Sequence, residues 1–243
     1  MKVKQIFICW AVICAAFYLL GCTEPEPDNA LDFLIKTPSM RITSGAFSEE
    51  LDLKRVAYPY NINENPAEYN KMVIHLVTML SEELVLLSAA ADKGVSVTDQ
   101  EIQSAEDEFK LDYPEDSFDQ ILLKNAISYS FWKKRFKKNM IMEKFIDQDL
   151  KKKIELTSRD IVAFYQKNLA DTQGADKTAV VLKKIEDERE LVSRLRTQKT
   201  QDQYSEWIQA LEKEYPVEIN KEKLKTFLID IEKSKERENE KEN

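Results

Sequence analysis

Few residues in this chain are of types that carry out chemistry. There is one histidine, His75, set between apolar neighbours in a helical pattern. No serine or cysteine elbow accompanies it, so it reads as packing or surface rather than as a general base. Zinc needs clustered His, Cys or carboxylate ligands, and one His with so few Cys does not supply them. No Asp-rich loop has calcium-hand spacing, and four glycines leave no room for a phosphate-cradling loop. Acidic pairs such as Asp107-Glu108 and Glu115-Asp116 sit among lysines, as solvated surface does. The sharpest charge feature is Lys133-Lys134-Arg135 with Lys137-Lys138. It reads either as contact with anionic lipid or an acidic client, or as the solvated stripe of a helix. The spacing favours the stripe. The sequence thus predicts no catalytic residue, no metal site and no cofactor.

The remaining reactive side chains are Cys9, Cys14 and Cys22. Lys2 and Lys4 precede an apolar run from Ile6 to Leu20, which stops at Gly21-Cys22. A basic start, a short apolar stretch and a small residue before a break describe an export signal. A spanning helix needs about 20 apolar residues, more than this run holds. Leu19-Leu20-Gly21-Cys22 resembles a lipoprotein lipobox, which implies cleavage before Cys22 and a lipid on its thiol. An uncleaved anchor is the plainer alternative. Cleavage at 1–21 would remove Cys9 and Cys14, leaving no internal disulfide. Thr23 is not the acidic residue that marks inner-membrane retention, so the expected location is the outer membrane, facing the periplasm.

Composition sets the frame for the rest. The chain has 36 basic and 44 acidic residues. Without Lys2 and Lys4 the balance is 34 against 44, a net charge of −10. That argues against nucleic acid as a partner. Few Gly and Pro, with abundant Leu, Glu, Lys, Gln and Ala, predict a mainly α fold.

Residues 22–38 read as a polar, Pro-containing tether. Met40 to Thr43 alternates like a short strand, and Phe47 to Arg55 has the length of a helical turn or two. Asn65-Pro66-Ala67-Glu68 is a helix start, and Gly94 the matching stop. Thr98-Asp99-Gln100-Glu101 is a capping box. Ser117 opens a short helix. From Ile127 to Ile154 two apolar faces are expected. Tyr129, Trp132 and Phe136 lie on one, and Met142, Phe145 and Ile146 on the other. This predicts a central strut. Thr157 to Asp160 begins another helix, ending near Asn168. Asp171 to Gly174 is a break, after which a charged helix runs from Ala175 to Glu214. Tyr215 to Ile219 reads as an edge strand, Asn220 as the cap of a last helix, and residues 232–243 as a charged tail.

Methionine is adaptable and lines promiscuous surfaces. Met72, Met79, Met140 and Met142 are therefore candidates for client contact, although core packing is the ordinary role of such residues.

Met72 to Tyr165 resembles the N-terminal domain of SurA-type periplasmic folding factors, with relatives among PrsA lipoproteins and trigger factor. The matching pieces are Lys93 to Ile102, Tyr129 to Lys153, and Ile154 to Ile161 leading into Phe164-Tyr165. Leu195 to Lys199, Tyr204, Trp207, Leu211 and the strand at Tyr215 to Ile219 resemble the family's C-terminal helix and strand. The resemblance implies a helical chaperone domain over 39–170. It also implies a segment, 171–231, that packs back on it, with the strand near Val217 pairing close to Met40–Thr43. Family members carry parvulin domains between these parts; here only Leu169 to Lys177 intervenes. The expected activity is binding of unfolded or exported polypeptides without an isomerase module, with the membrane engaged through Cys22. Two alternatives are an accessory lipoprotein with one dedicated partner and, least favoured, a prolyl isomerase.

Overall fold

The structure is a computed structural model that describes residues 32–114, 117–169 and 180–230, without the side chains of 165–169 and 180–189. The export signal, Cys22, most of the tether, Glu115-Asp116, the break after Leu169 and the charged tail lie outside the described residues.

The fold is mainly helical with one small antiparallel sheet. Strands β1 (Ile35–Lys36) and β2 (Arg41–Ile42) lead into helix α1 (Ser44–Arg55). A 3-10 turn at Ile62–Glu64 precedes α2 (Pro66–Asp92). Then come α3 (Asp99–Leu111), α4 (Ser117–Lys124), α5 (Tyr129–Asp149), a 3-10 turn at Lys151–Lys153, α6 (Ser158–Leu169) and α7 (Val180–Glu214). Strand β3 (Glu218–Ile219) and the short helix α8 (Lys221–Lys225) close the described chain.

Local chemistry sets most helix starts. Asn65 caps α2 by accepting from the Glu68 amide at 3.2 Å, with Pro66 at the first position. Gly94 ends that helix region at φ +68°, a left-handed conformation that favours glycine. Both bonds of the capping box form at Thr98 and Glu101. Ser128 caps α5, and Asn220 caps α8.

Helix α2 is the centre of the molecule. Thirteen of its residues are buried, against Phe145 alone on α5. This corrects the expectation that α5 is the central strut. α2 is long and apolar enough to cross a membrane, but 67% of its apolar window is buried inside the protein, as in a core helix. Its first half packs with β1, α1 and the C-terminal residues Leu224, Phe227 and Leu228. Its second half packs against Phe145 on α5 and Ile208 and Leu211 on α7. Two apolar faces on α5 are present. Trp132 and Phe136 join a ring cluster with Phe109 and Phe118, while Phe145 meets Trp207 at 5.6 Å.

The sheet differs from expectation. Its order is β2-β1-β3, so β3 pairs with Ile35–Lys36 rather than with Met40–Thr43. Ile35 sits opposite both Ile42 and Ile219. The central strand therefore comes from the stretch read as tether. Leu34 and Ile35 are fully buried, and the apolar run Phe33 to Ile35 is the signal that the surrounding prolines obscured. The predicted strand over Tyr215 to Ile219 shortens to two residues, because the Tyr215 amide still bonds the Leu211 carbonyl of α7 at 2.7 Å.

Candidate functional site

Helices α3 and α5 run antiparallel and enclose a cleft of about 1040 Å³. Val97, Ala105, Met140, Met142 and Ile146 give it an apolar floor. Lys144 on α5 reaches across to Glu101 on α3 at 2.7 Å and to the Ser96 carbonyl at 2.9 Å. Glu101 also accepts the Thr98 amide in its capping box. The Lys144 bond and these Thr98 bonds hold its carboxyl at about 2. A second, smaller cleft of about 440 Å³ lies among α1, α2 and α5, with Leu53, Leu76, Met79, Leu86 and Met142 on its walls. Asn139 and Met142 line both clefts. Among the described residues Met142 is thus the one methionine that lines both.

The four candidate methionines divide accordingly. Met79 is 43% exposed, and its sulfur takes a weak bond from Lys54 at 3.8 Å. Met140 and Met142 are half-buried in the clefts. Met72 is 1% exposed in the core beside Val73 and Leu76. That placement removes it from any client surface: both neighbouring faces of α2 are covered, so the helical period that sets Met72 and Met79 on one stripe does not decide exposure. His75 is exposed on α2.

The basic cluster is largely an internal charge network, not a solvated stripe. Arg135 donates to Glu50 at 2.9 Å and to Glu83 at 3.1 Å, and Lys138 to Glu83 at 2.6 Å. Both carboxylates are buried, and these donors pair oxygens that burial takes away from water. Lys133 turns the other way, to Glu106 at 3.0 Å. Lys134 and Lys137 are the exposed members. The network ties α1 and α2 to α5, and Glu50, Glu83 and Arg135 line the small cleft.

Glu106 and Asp149 are two further charge nodes, and neither stands out in the sequence. Glu106 is 1% exposed on α3. Burial pushes its carboxyl up, but hydrogen bonds from Lys110, Tyr129 and Lys133 outweigh it and hold the group at about 2. Asp149, at the end of α5, accepts from Lys93 at 2.9 Å, Lys153 at 2.6 Å and the Trp207 indole N–H at 2.9 Å. Burial again opposes ionisation, and those three donors bring the carboxyl to about 2. The i, i+4 pairs Glu106–Lys110 and Asp149–Lys153 were readable from spacing. The partners from other helices were not.

Among the described residues no group of three or more His, Cys, Asp or Glu is placed to hold a metal ion. The carboxylates just described are each engaged by lysine, arginine or an aromatic donor and hold helices together. What the clefts present is apolar, sulfur-rich surface with a polar rim, an arrangement suited to binding. No protein-family model matches the chain, and no curated protein matches it.

Proposed function

We propose that the protein is a lipid-anchored chaperone of the bacterial cell envelope. In this reading it holds unfolded or exported polypeptides without ATP and without an isomerase module. The observation that carries it is the pair of apolar clefts meeting at Met142. The larger lies at the upper end of the roughly 300–1,000 Å³ range of ligand pockets. Its methionines can adapt to side chains of different shape. The SurA-type order of helices from Met72 to Tyr165, and the lipobox at Leu19 to Cys22, support the same reading. Binding of this kind needs apolar burial and no cofactor.

The test is an aggregation assay on an unfolded outer-membrane protein, with the soluble chain beginning after Cys22. Light scattering should fall at a several-fold excess of that chain. Replacing Met140 and Met142 with aspartate should weaken the protection, because charge on the floor of a cleft opposes apolar docking. Scattering unchanged by the wild-type chain would refute the proposal.

A further inference from the structure

The larger cleft has a charge character as well as an apolar floor. Its walls carry four carboxylates, Glu101, Glu108, Glu143 and Asp147, against two ammonium groups, Lys144 and Lys151. Glu101 and Lys144 satisfy each other across the cleft at 2.7 Å. Asp147 is met by Lys152 at 2.8 Å and lies 4.0 Å from Lys151. Glu108 and Glu143 are left over. Both are exposed, and neither has a hydrogen-bond or ion-pair partner among the described residues. Glu108 stands on α3 and Glu143 on α5, so uncompensated negative charge sits on both walls above the apolar floor.

From this we infer that the α3–α5 cleft selects polypeptide segments in which lysine or arginine flanks large apolar side chains. The inference rests on the client-holding reading above and names its substrate class. The apolar part of such a segment covers Met140, Met142 and Ile146, while its cationic side chains reach the two carboxylates on the rim. A segment flanked by aspartate or glutamate meets like charge on both walls. Charge complementarity of this sort sets specificity and encounter rate more than total affinity. Glu108 and Glu143 are exposed, so each contributes modestly, and the two together give a preference of about three- to tenfold.

The experiment compares two labelled peptides of equal length and equal apolar content, one carrying lysines and the other glutamates. Fluorescence anisotropy reads their binding to the full chain held in zwitterionic nanodiscs, with empty nanodiscs as the blank. The lysine peptide should bind several-fold more tightly. The preference should shrink toward unity in a Glu108→Gln, Glu143→Gln double variant, and also at about 1 M salt, where the Debye length is about 3 Å. The two glutamates hold no other element in place, so the double variant keeps the fold. It should also bind a neutral peptide of the same apolar content as the wild type does. Equal binding of the two peptides, or a preference that survives the double variant, overturns the inference while leaving client holding intact. Failure of all peptides to bind overturns both.

Discussion

Glu106 concentrates several interactions in one side chain. It is buried on α3 and ionised, it accepts the Tyr129 hydroxyl at 2.5 Å, and it is flanked by Lys110 at 2.6 Å and Lys133 at 3.0 Å. Lys110 and Lys133 also lie over the Tyr129 ring, at 5.3 Å and 5.5 Å. The folded carboxyl titrates at about 2, against 4.5 for the free group. A depressed carboxyl binds fewer protons in the folded state, so its stabilising contribution is full above about 4.5 and is lost as pH falls through about 2. Glu106→Gln should therefore destabilise at neutral pH and show a flatter acid limb. Thermal melts between pH 7 and pH 2 test this, followed by Trp132 fluorescence in a Trp207→Phe background of the soluble chain beginning after Cys22, which lacks Trp10. Parallel acid limbs for the wild type and the glutamine variant would refute the assignment. The sequence shows Lys110 one turn from Glu106. It does not show Tyr129 or Lys133, which come from a helix two elements later.

Strand β1 is the element on which sequence and structure differ most. Leu34 and Ile35 are fully buried, and Ile35 is paired on both sides, to Ile42 and Ile219. The Thr37 hydroxyl also meets the Ser88 hydroxyl of α2 at 2.7 Å, inside the protein. Helix starts were legible because a cap acts over three or four residues: Asn65, Thr98 and Asn220 each bond an amide three residues on. The strand was not legible because its partners lie five to seven residues away on one side and more than 180 on the other, and two residues of pattern carry no period. Its worth can be measured. Leu34→Ala should cost about 2–4 kcal/mol, the range for deleting a buried leucine side chain with incomplete relaxation. Lys36→Ala should cost under about 1 kcal/mol, since its 3.0 Å pair with Glu218 is largely solvated. Urea unfolding midpoints separate the two cases. A midpoint for Leu34→Ala equal to that of Lys36→Ala would place this segment outside the core, as the sequence reading had it.

At the scale of the whole molecule, the first and last described segments of the chain close on one another. β3 lies against β1, and Phe227 meets Phe47 edge-on at 4.8 Å. Asn70 on α2 exchanges two 2.8 Å hydrogen bonds with the backbone of Ile229. Val217 packs against both core clusters, so the returning segment joins the halves of α2 that face different partners. The starting point of the core also bears on the proposed anchor. Among the described residues Phe33 is the first that is buried, and it follows Cys22 by eleven positions. Eleven residues span about 40 Å at most, so a lipid on Cys22 would keep the clefts near the membrane. The resemblance implied a C-terminal strand beside Met40–Thr43, whereas β3 lies on Ile35–Lys36; local pattern alone could show neither, because closure over so long a loop leaves no local mark. Ending the chain at Glu214 removes β3, Val217, Phe227 and Ile229 together. Leu34, Phe47 and the first half of α2 then lose most of their cover, whereas Phe145, Trp207 and Leu211 lose only Tyr215 and Val217 from their cluster. Amide exchange should become fast across β1, α1 and the start of α2 while the end of α2 and α5 stay protected. Uniform protection in the shortened chain would show that the two clusters stand without the returning segment, and uniform loss would show that they fold as one.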